Sequence, residues 1–337
     1  MTIHPSTIIV TGAAGFIGSK LAEHLSELGY EVVACDIFNF RNQFFDVGDL
    51  HHLALQRLRS DRIAHFLKRN DIEYQSIDIS DHASVSKLFQ KIEPDVVVHL
   101  AAQAGVRHSV KSPMDFVKSN LNGFANVLDA CNTHGIKQFL YASSSSVYGA
   151  RTEAPFKETD RCDTPESFYA ATKIANEQMA KAYFAQYQTP SLGLRFFTVY
   201  GPWGRLDMAP FIFAQKMRKQ QAIQLFGSGL LQRDFTFVGD TVFAIGRLIE
   251  RGINQTYADV VNVGHSNPVQ VTEFVQTLAK VLKLEPVIEL LPMQVSDVPL
   301  TCASEEKLRQ LIGDWPHTSL EDGLLEMVEW LGKWNPV

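Results

Sequence analysis

The sequence predicts an α/β protein: a doubly wound parallel sheet in the first two hundred residues and a smaller α/β region after it. Two observations carry this. Short β-branched runs alternate with segments of helical periodicity through the first half, the pattern of successive βαβ units. A glycine-rich turn also lies directly between the first such run and the first such helix. From about Pro202 onward Gly and Pro punctuation thickens and the alternation weakens. Residues 1–201 are therefore assigned to the sheet domain and 202–337 mainly to a smaller substrate-binding region, with the chain crossing back between them.

Strands are expected at residues 7–10, 31–35, 74–76, 96–100, 139–142 and 192–196. The first helix shows Ile17, Leu21, Leu25 and Leu28 on one stripe, and Gly29 is its stop. A second clear helix covers 120–134, with Leu121, Phe124, Leu128 and Cys131 on one face and Gly135 after it. Between Asn39 and Arg69, Arg, His and Asp interleave with Leu and Phe at roughly helical spacing, which reads as an amphipathic surface helix pair. His51 and His52 have no partner at metal-ligand spacing, so no metal is expected.

Composition narrows the class. A chain of 337 residues, 45% hydrophobic, buries a substantial core. Its formal charge of -6 offers no basic field to a phosphate backbone, which argues against nucleic acid as a partner. Four scattered cysteines without a C-x-x-C pair fit reduced thiols and a cytoplasmic setting. No stretch is long and apolar enough to span a bilayer, so no membrane partner is expected.

The turn after the first strand reads Thr11-Gly12-Ala13-Ala14-Gly15-Phe16-Ile17-Gly18. Gly12 permits a tight turn, Gly15 lets backbone approach a pyrophosphate, and Gly18 allows close packing of helix on strand. The pyrophosphate then sits on free amides at the positive end of the helix dipole, with Phe16 and Ile17 part of the cradle. Asp36, eighteen positions past Gly18 at the end of the second strand, is placed to accept from the adenosine ribose hydroxyls. A carboxylate there repels a 2'-phosphate. This is the dinucleotide turn of a Rossmann-type fold, and the cofactor expected is NAD.

Tyr169 and Lys173 stand four residues apart, on one face of a helix. A cation beside a phenol favours the phenolate, which predicts a base with a lowered pKa for removing a hydroxyl proton. Before them, the strand Phe139-Leu140-Tyr141-Ala142 ends in Ser143-Ser144-Ser145-Ser146-Val147-Tyr148-Gly149, a hydroxyl cluster at the edge where open parallel sheets bind ligands.

The glycine turn, His99-Leu100-Ala101-Ala102, the serine cluster with Val-Tyr-Gly, and Tyr-x-x-x-Lys, in that order, resemble the extended short-chain dehydrogenases/reductases acting on nucleotide sugars. The resemblance covers almost the whole chain. It implies that Ser144 hydrogen-bonds the sugar O4, that Tyr169 is the base, and that Lys173 holds the nicotinamide ribose. It also implies that Asp78 and Ile79 border adenine and that Ala101, Ala102 and Gln103 line the cofactor. Where dehydratases and decarboxylases of this group carry an acid before Val-Tyr-Gly, this chain has Ser145 and Ser146, which favours oxidation followed by reduction at one carbon.

The run from Leu194 to Ala209 is similar to UDP-glucuronate 4-epimerases, which implies that Thr198 and Arg205 face the sugar carboxylate. A guanidinium fork suits a carboxylate. Together with Ser145 it would hold that group near the ring plane of a 4-keto intermediate and so slow loss of CO2. The resemblance further implies a pyrophosphate-binding Arg233, a uracil-facing strand at Gln224, a ribose contact at Asp297, and a homodimer through helices 120–134 and 167–187. The expected reaction is C4 epimerisation of UDP-glucuronate. The rivals are a UDP-glucose/UDP-galactose or N-acetylated-sugar epimerase, a UDP-glucuronate decarboxylase, and a non-catalytic NAD-sensing protein.

Overall fold

The computed structural model describes residues 6–37, 49–254, 256–293 and 298–334. Among the described residues twelve strands run in chain order: β1 (Thr7–Thr11), β2 (Glu31–Asp36), β3 (Glu73–Ser76), β4 (Val96–His99), β5 (Gln138–Ser144), β6 (Ser191–Phe196), β7 (Thr198–Tyr200), β8 (Ile223–Leu225), β9 (Gln232–Phe237), β10 (Ala258–Val263), β11 (Pro268–Gln270) and β12 (Ile288–Leu290). Seven form one parallel sheet in the order β10-β6-β5-β4-β1-β2-β3. The winding reverses between β1 and β4, so their carboxyl ends border a crevice, the place where open α/β sheets take ligands.

Period-two alternation gives each strand two buried faces. Ile8 and Val10 enter one core and Ile9 the other; Val32 and Ala34 oppose Val33 and Cys35; Leu140 opposes Phe139 and Tyr141. The first core takes Leu21, Ala22 and Leu25 from the helix Phe16–Glu27. The second takes Val85, Leu88 and Phe89 from His82–Ile92, and Val127, Leu128 and Cys131 from Phe124–Thr133. Strands buried on both faces by helices are what near-continuous apolar runs demand.

The smaller region holds two short sheets, β11-β9-β7 and β12-β8. It is not a contiguous block. Residues 238–263 return to the large sheet: β10 joins its edge beside β6, and the helix Val238–Arg251 packs on Phe16–Glu27, with no Cβ at Gly246 because His24 Nε2 would stand 2.9 Å from it. β10 is a strand the sequence reading did not include.

The expected surface helix pair near residues 39–69 needs correction over its described part. Helix Asp49–Arg62 runs straight into a π-helical turn, Ile63–Leu67, and a 3₁₀ turn, Lys68–Asn70. Leu58, Ile63, Phe66 and Leu67 are core residues, and Arg62 is buried with them. A sequence pattern shows the charged residue but not the backbone carbonyls that make its burial tolerable.

Candidate active site

The glycine turn is built from mutual backbone contact. Gly12 sits at φ +72°, and a Cβ there would lie 2.7 Å from the Ala101 amide nitrogen. A Cβ on Gly15 would lie 2.8 Å from the Gly12 carbonyl oxygen, and one on Gly18 2.2 Å from it. The first intrahelical bond is Ser19 N–H to Gly15 O at 3.1 Å, so the amides of Phe16, Ile17 and Gly18 face out of the helix end. Such a cradle fits the pyrophosphate of a dinucleotide. Asp36 ends β2 with its carboxylate accepting from Ala14 N–H (2.9 Å), Ile37 N–H (2.7 Å) and Arg59 Nη2 (2.6 Å). Arg59, from the helix read as surface, was not anticipated.

Next to this turn lie Ala101, Ala102 and Gln103, all half-buried. Gln103 is fixed by a residue the sequence reading missed. Buried Asn120 accepts from Gln103 N–H at 2.7 Å and donates to Gln103 O at 3.0 Å, while the same amide donates to Thr172 Oγ1 at 3.0 Å. Asn120 lies in a π-helical turn, Val117–Gly123, a distortion that often marks a functional site. Ile79 packs where a Cβ of Gly123 would stand, and Asp78 accepts from Ser80 and Lys118.

Tyr169, Lys173 and Glu177 form a stripe at i, i+4 and i+8 on the helix Phe168–Tyr187, capped by Ser167. Lys173 Nζ donates to Ala142 O at 2.7 Å. Glu177 accepts from Ser143 Oγ at 2.6 Å and from Arg195 Nε and Nη2 at 2.9 and 2.8 Å. The helix is thus bolted to the end of β5 and to β6, which sets Tyr169 beside Ser144. The sequence signal for Glu177 was its place on the Tyr169/Lys173 stripe; for Arg195 it was a lone charge inside an apolar strand.

The electrostatics at Tyr169 differ from expectation. Burial pushes its phenol above the ordinary value; a Ser144 hydrogen bond and then the charge of Arg205 oppose this without overcoming it. Lys173 is not the cation that pulls the phenol down. Its nitrogen stands 6.0 Å from the Tyr169 ring centre, turned to the Ala142 carbonyl, and burial lowers its own pKa to about 8, with Glu177 opposing. Ser144 accepts from Ser146 N–H (3.2 Å) and Ser146 Oγ (3.0 Å), and Ser145 beside it is half-buried.

Arg205 reaches the same pocket from the loop after β7. Nε and Nη2 grip Asp207 at 3.0 and 2.6 Å, and Nη2 also donates to Ala104 O at 3.1 Å. Among the described residues nothing accepts from Nη1. The partner of Arg205 in the structure is thus Asp207, an acid two residues along the same loop. Half-buried Thr198 opens β7 against Phe235 of β9.

The remaining expectations sit further out. Arg233 lies on β9 with Nη1 donating to Gln232 O at 2.8 Å. Gln224 is exposed and its side chain donates to Glu289 across the β8–β12 pair at 3.0 Å, not toward the Tyr169 cluster. Asp297 lies outside the described residues.

A glycine cradle at the switch point of a doubly wound sheet, with a phenol, a serine and an ammonium at its carboxyl edge, defines a dinucleotide-dependent enzyme of sugar or alcohol chemistry. The chain belongs to the NAD dependent epimerase/dehydratase family, whose profile matches residues 8–264. It is 38% identical to a probable UDP-glucuronate 4-epimerase of Rhizobium meliloti, over 96% of each chain. It is 40% identical to protein CapI of Staphylococcus aureus, over 96% of this chain and 97% of that one. The crystal structure of UDP-glucuronic acid 4-epimerase from Bacillus cereus, in complex with UDP-glucuronic acid and NAD, superposes with a TM-score of 0.86 at 30% identity, covering 97% of this chain and 99% of that one.

Proposed function

We propose that this chain interconverts UDP-glucuronate and UDP-galacturonate as an NAD-dependent 4-epimerase, working as a cytoplasmic homodimer. The observation that carries the substrate is Arg205, a guanidinium held by Asp207 and the Ala104 carbonyl whose charge acts on the Tyr169 phenol. A neutral sugar would bring that half-buried cation no charge partner beyond Asp207. The relatives named for UDP-glucuronate support the same reading. Among the described residues no helix is long and apolar enough to cross a membrane. The dimer would pair the helices Phe124–Thr133 and Phe168–Tyr187 with their copies.

The residues divide the work as follows. Amides of the glycine turn would hold the cofactor pyrophosphate and Asp36 its ribose, while Asp78, Ile79, Ala101, Ala102 and Gln103 would border it. NAD+, when bound, would supply a reversible hydride acceptor for C4. Tyr169 takes the O4 proton, Ser144 hydrogen-bonds O4, and Lys173 would hold the nicotinamide ribose. The 4-keto sugar then presents its other face, and Tyr169 returns the proton. Arg233 would neutralise the UDP pyrophosphate, with the Gln224 strand and Asp297 toward uridine.

Incubating the purified protein separately with UDP-glucuronate, UDP-glucose and UDP-N-acetylglucosamine, and following anomeric proton signals, tests the reading. We expect UDP-galacturonate from the first. Turnover of UDP-glucose with none of UDP-glucuronate would sink it.

Arg205, Thr198 and Ser145 have a second task. A 4-keto uronate is a β-keto acid and loses CO2 when the C5–carboxylate bond aligns with the carbonyl π system; holding the carboxylate near the ring plane prevents alignment. Arg205→Ala should therefore raise CO2 release per epimerisation event several-fold, read from the ratio of UDP-pentose to UDP-galacturonate. An unchanged ratio would remove the clamp.

A further inference from the structure

We propose that Arg62, which lies outside the pocket, is a positioning residue: a buried strut that holds the 203–205 loop in register with the glycine turn, so that Arg205 meets the sugar carboxylate only while Arg62 is in place. This rests on the reading above, in which Arg205 faces that carboxylate.

Arg62 is the last residue of helix Asp49–Arg62 and is 4% exposed. Its guanidinium serves three backbone carbonyls from two distant segments. Nε and Nη2 donate to Trp203 O at 3.0 and 2.6 Å, Nη2 to Gly204 O at 3.1 Å, and Nη1 to Ala14 O at 3.3 Å. Ala14 belongs to the cofactor turn. Trp203 and Gly204 immediately precede Arg205. A planar fork can span both segments at once, which a single ammonium cannot.

The loop it holds needs holding. Trp203 sits at φ +61°, a conformation costly for a bulky residue and kept only where the surroundings impose it. His65 and Phe66, from the π-helical turn directly after Arg62, supply part of that constraint. His65 stacks on the Trp203 ring at 4.9 Å and 27°, and Phe66 meets it edge-on at 5.4 Å; Trp330 adds a contact at 5.2 Å. The two ion pairs Arg59–Asp36 and Arg205–Asp207 flank Arg62, and burial, followed by its cationic neighbours Arg59 and Arg205, lowers its pKa to about 9. A buried cation whose hydrogen bonds all go to backbone carbonyls of two segments marks a position where geometry outweighs cost.

The test uses NAD-loaded wild type, Arg62→Lys and Arg62→Met. Lys keeps charge and length but not the fork, and it carries the test if the Met variant fails to fold. Calorimetry gives the affinities for UDP, UDP-glucose and UDP-glucuronate, and single-turnover reactions give the ratio of CO2 released to UDP-galacturonate formed. That ratio is set within each catalytic cycle and does not depend on the folded fraction. We expect affinity for UDP-glucuronate to fall about tenfold more than affinity for UDP-glucose, UDP itself to bind as in wild type, and the CO2 ratio to rise several-fold in both variants. Equal weakening of all three ligands with an unchanged ratio would make Arg62 a merely structural residue and overturn the proposal. Failure of the underlying substrate reading would show instead in the wild type, as binding of UDP-glucuronate no tighter than UDP-glucose and no turnover.

Discussion

Tyr169→Phe is expected to lower kcat for UDP-glucuronate by about a thousand-fold, within the range that a positioned general base contributes. The substitution removes one oxygen and leaves the ring against Phe116, 6.1 Å between centroids, and Lys173 on the Ala142 carbonyl. Calorimetric affinity for UDP-glucuronate should therefore stay within a few-fold of wild type. Because burial holds the phenol above its ordinary value, the reactive phenolate grows as pH rises, so wild-type kcat/KM should climb from neutral to alkaline pH. The variant should lose that climb. Retention of more than about a tenth of wild-type kcat would place the base elsewhere.

Glu177→Ala is expected to destabilise the protein by about 3–5 kcal/mol, because it leaves Arg195 buried without its carboxylate. Glu177 and Arg195 are 2% and 3% exposed at the side chain. Arg195 also donates to Tyr148 Oη at 2.9 Å, and Tyr148 donates to Asn262 at 2.6 Å, so the loss spreads to β10. Denaturant midpoints measure it. Replacing both partners together, Glu177→Leu with Arg195→Met, should recover much of the loss, since well-packed apolar groups remove the stranded charge. A single-variant cost below about 1 kcal/mol would mean that water reaches Arg195.

Those two cases show what a sequence displays and what it hides. The positions of the glycine turn, Asp36, the serine cluster and the helix face shared by Tyr169 and Lys173 were legible because each is set by a local spacing. Asn120, Arg195 and Arg62 were not, because their partners lie far along the chain: Arg62 meets Trp203 across 141 positions, and the acceptor is a carbonyl that every residue owns. Charge interleaved with Leu and Phe near Arg62 reads as a wet helix face, and only the folded carbonyls reverse that reading. Lys173 shows the complementary error: spacing set it beside Tyr169, yet the nearer acceptor at Ala142 claimed it. β10 was missed for a similar reason, since its six residues follow a region whose punctuation signals a different domain.

The arrangement around Ser144 fixes a direction. Its oxygen receives two donors from Ser146, one from the amide and one from the hydroxyl. Ser144 is thus anchored by Ser146 on one side and meets Tyr169 on the other. A sugar hydroxyl arriving between the two therefore meets oxygens whose places are already set.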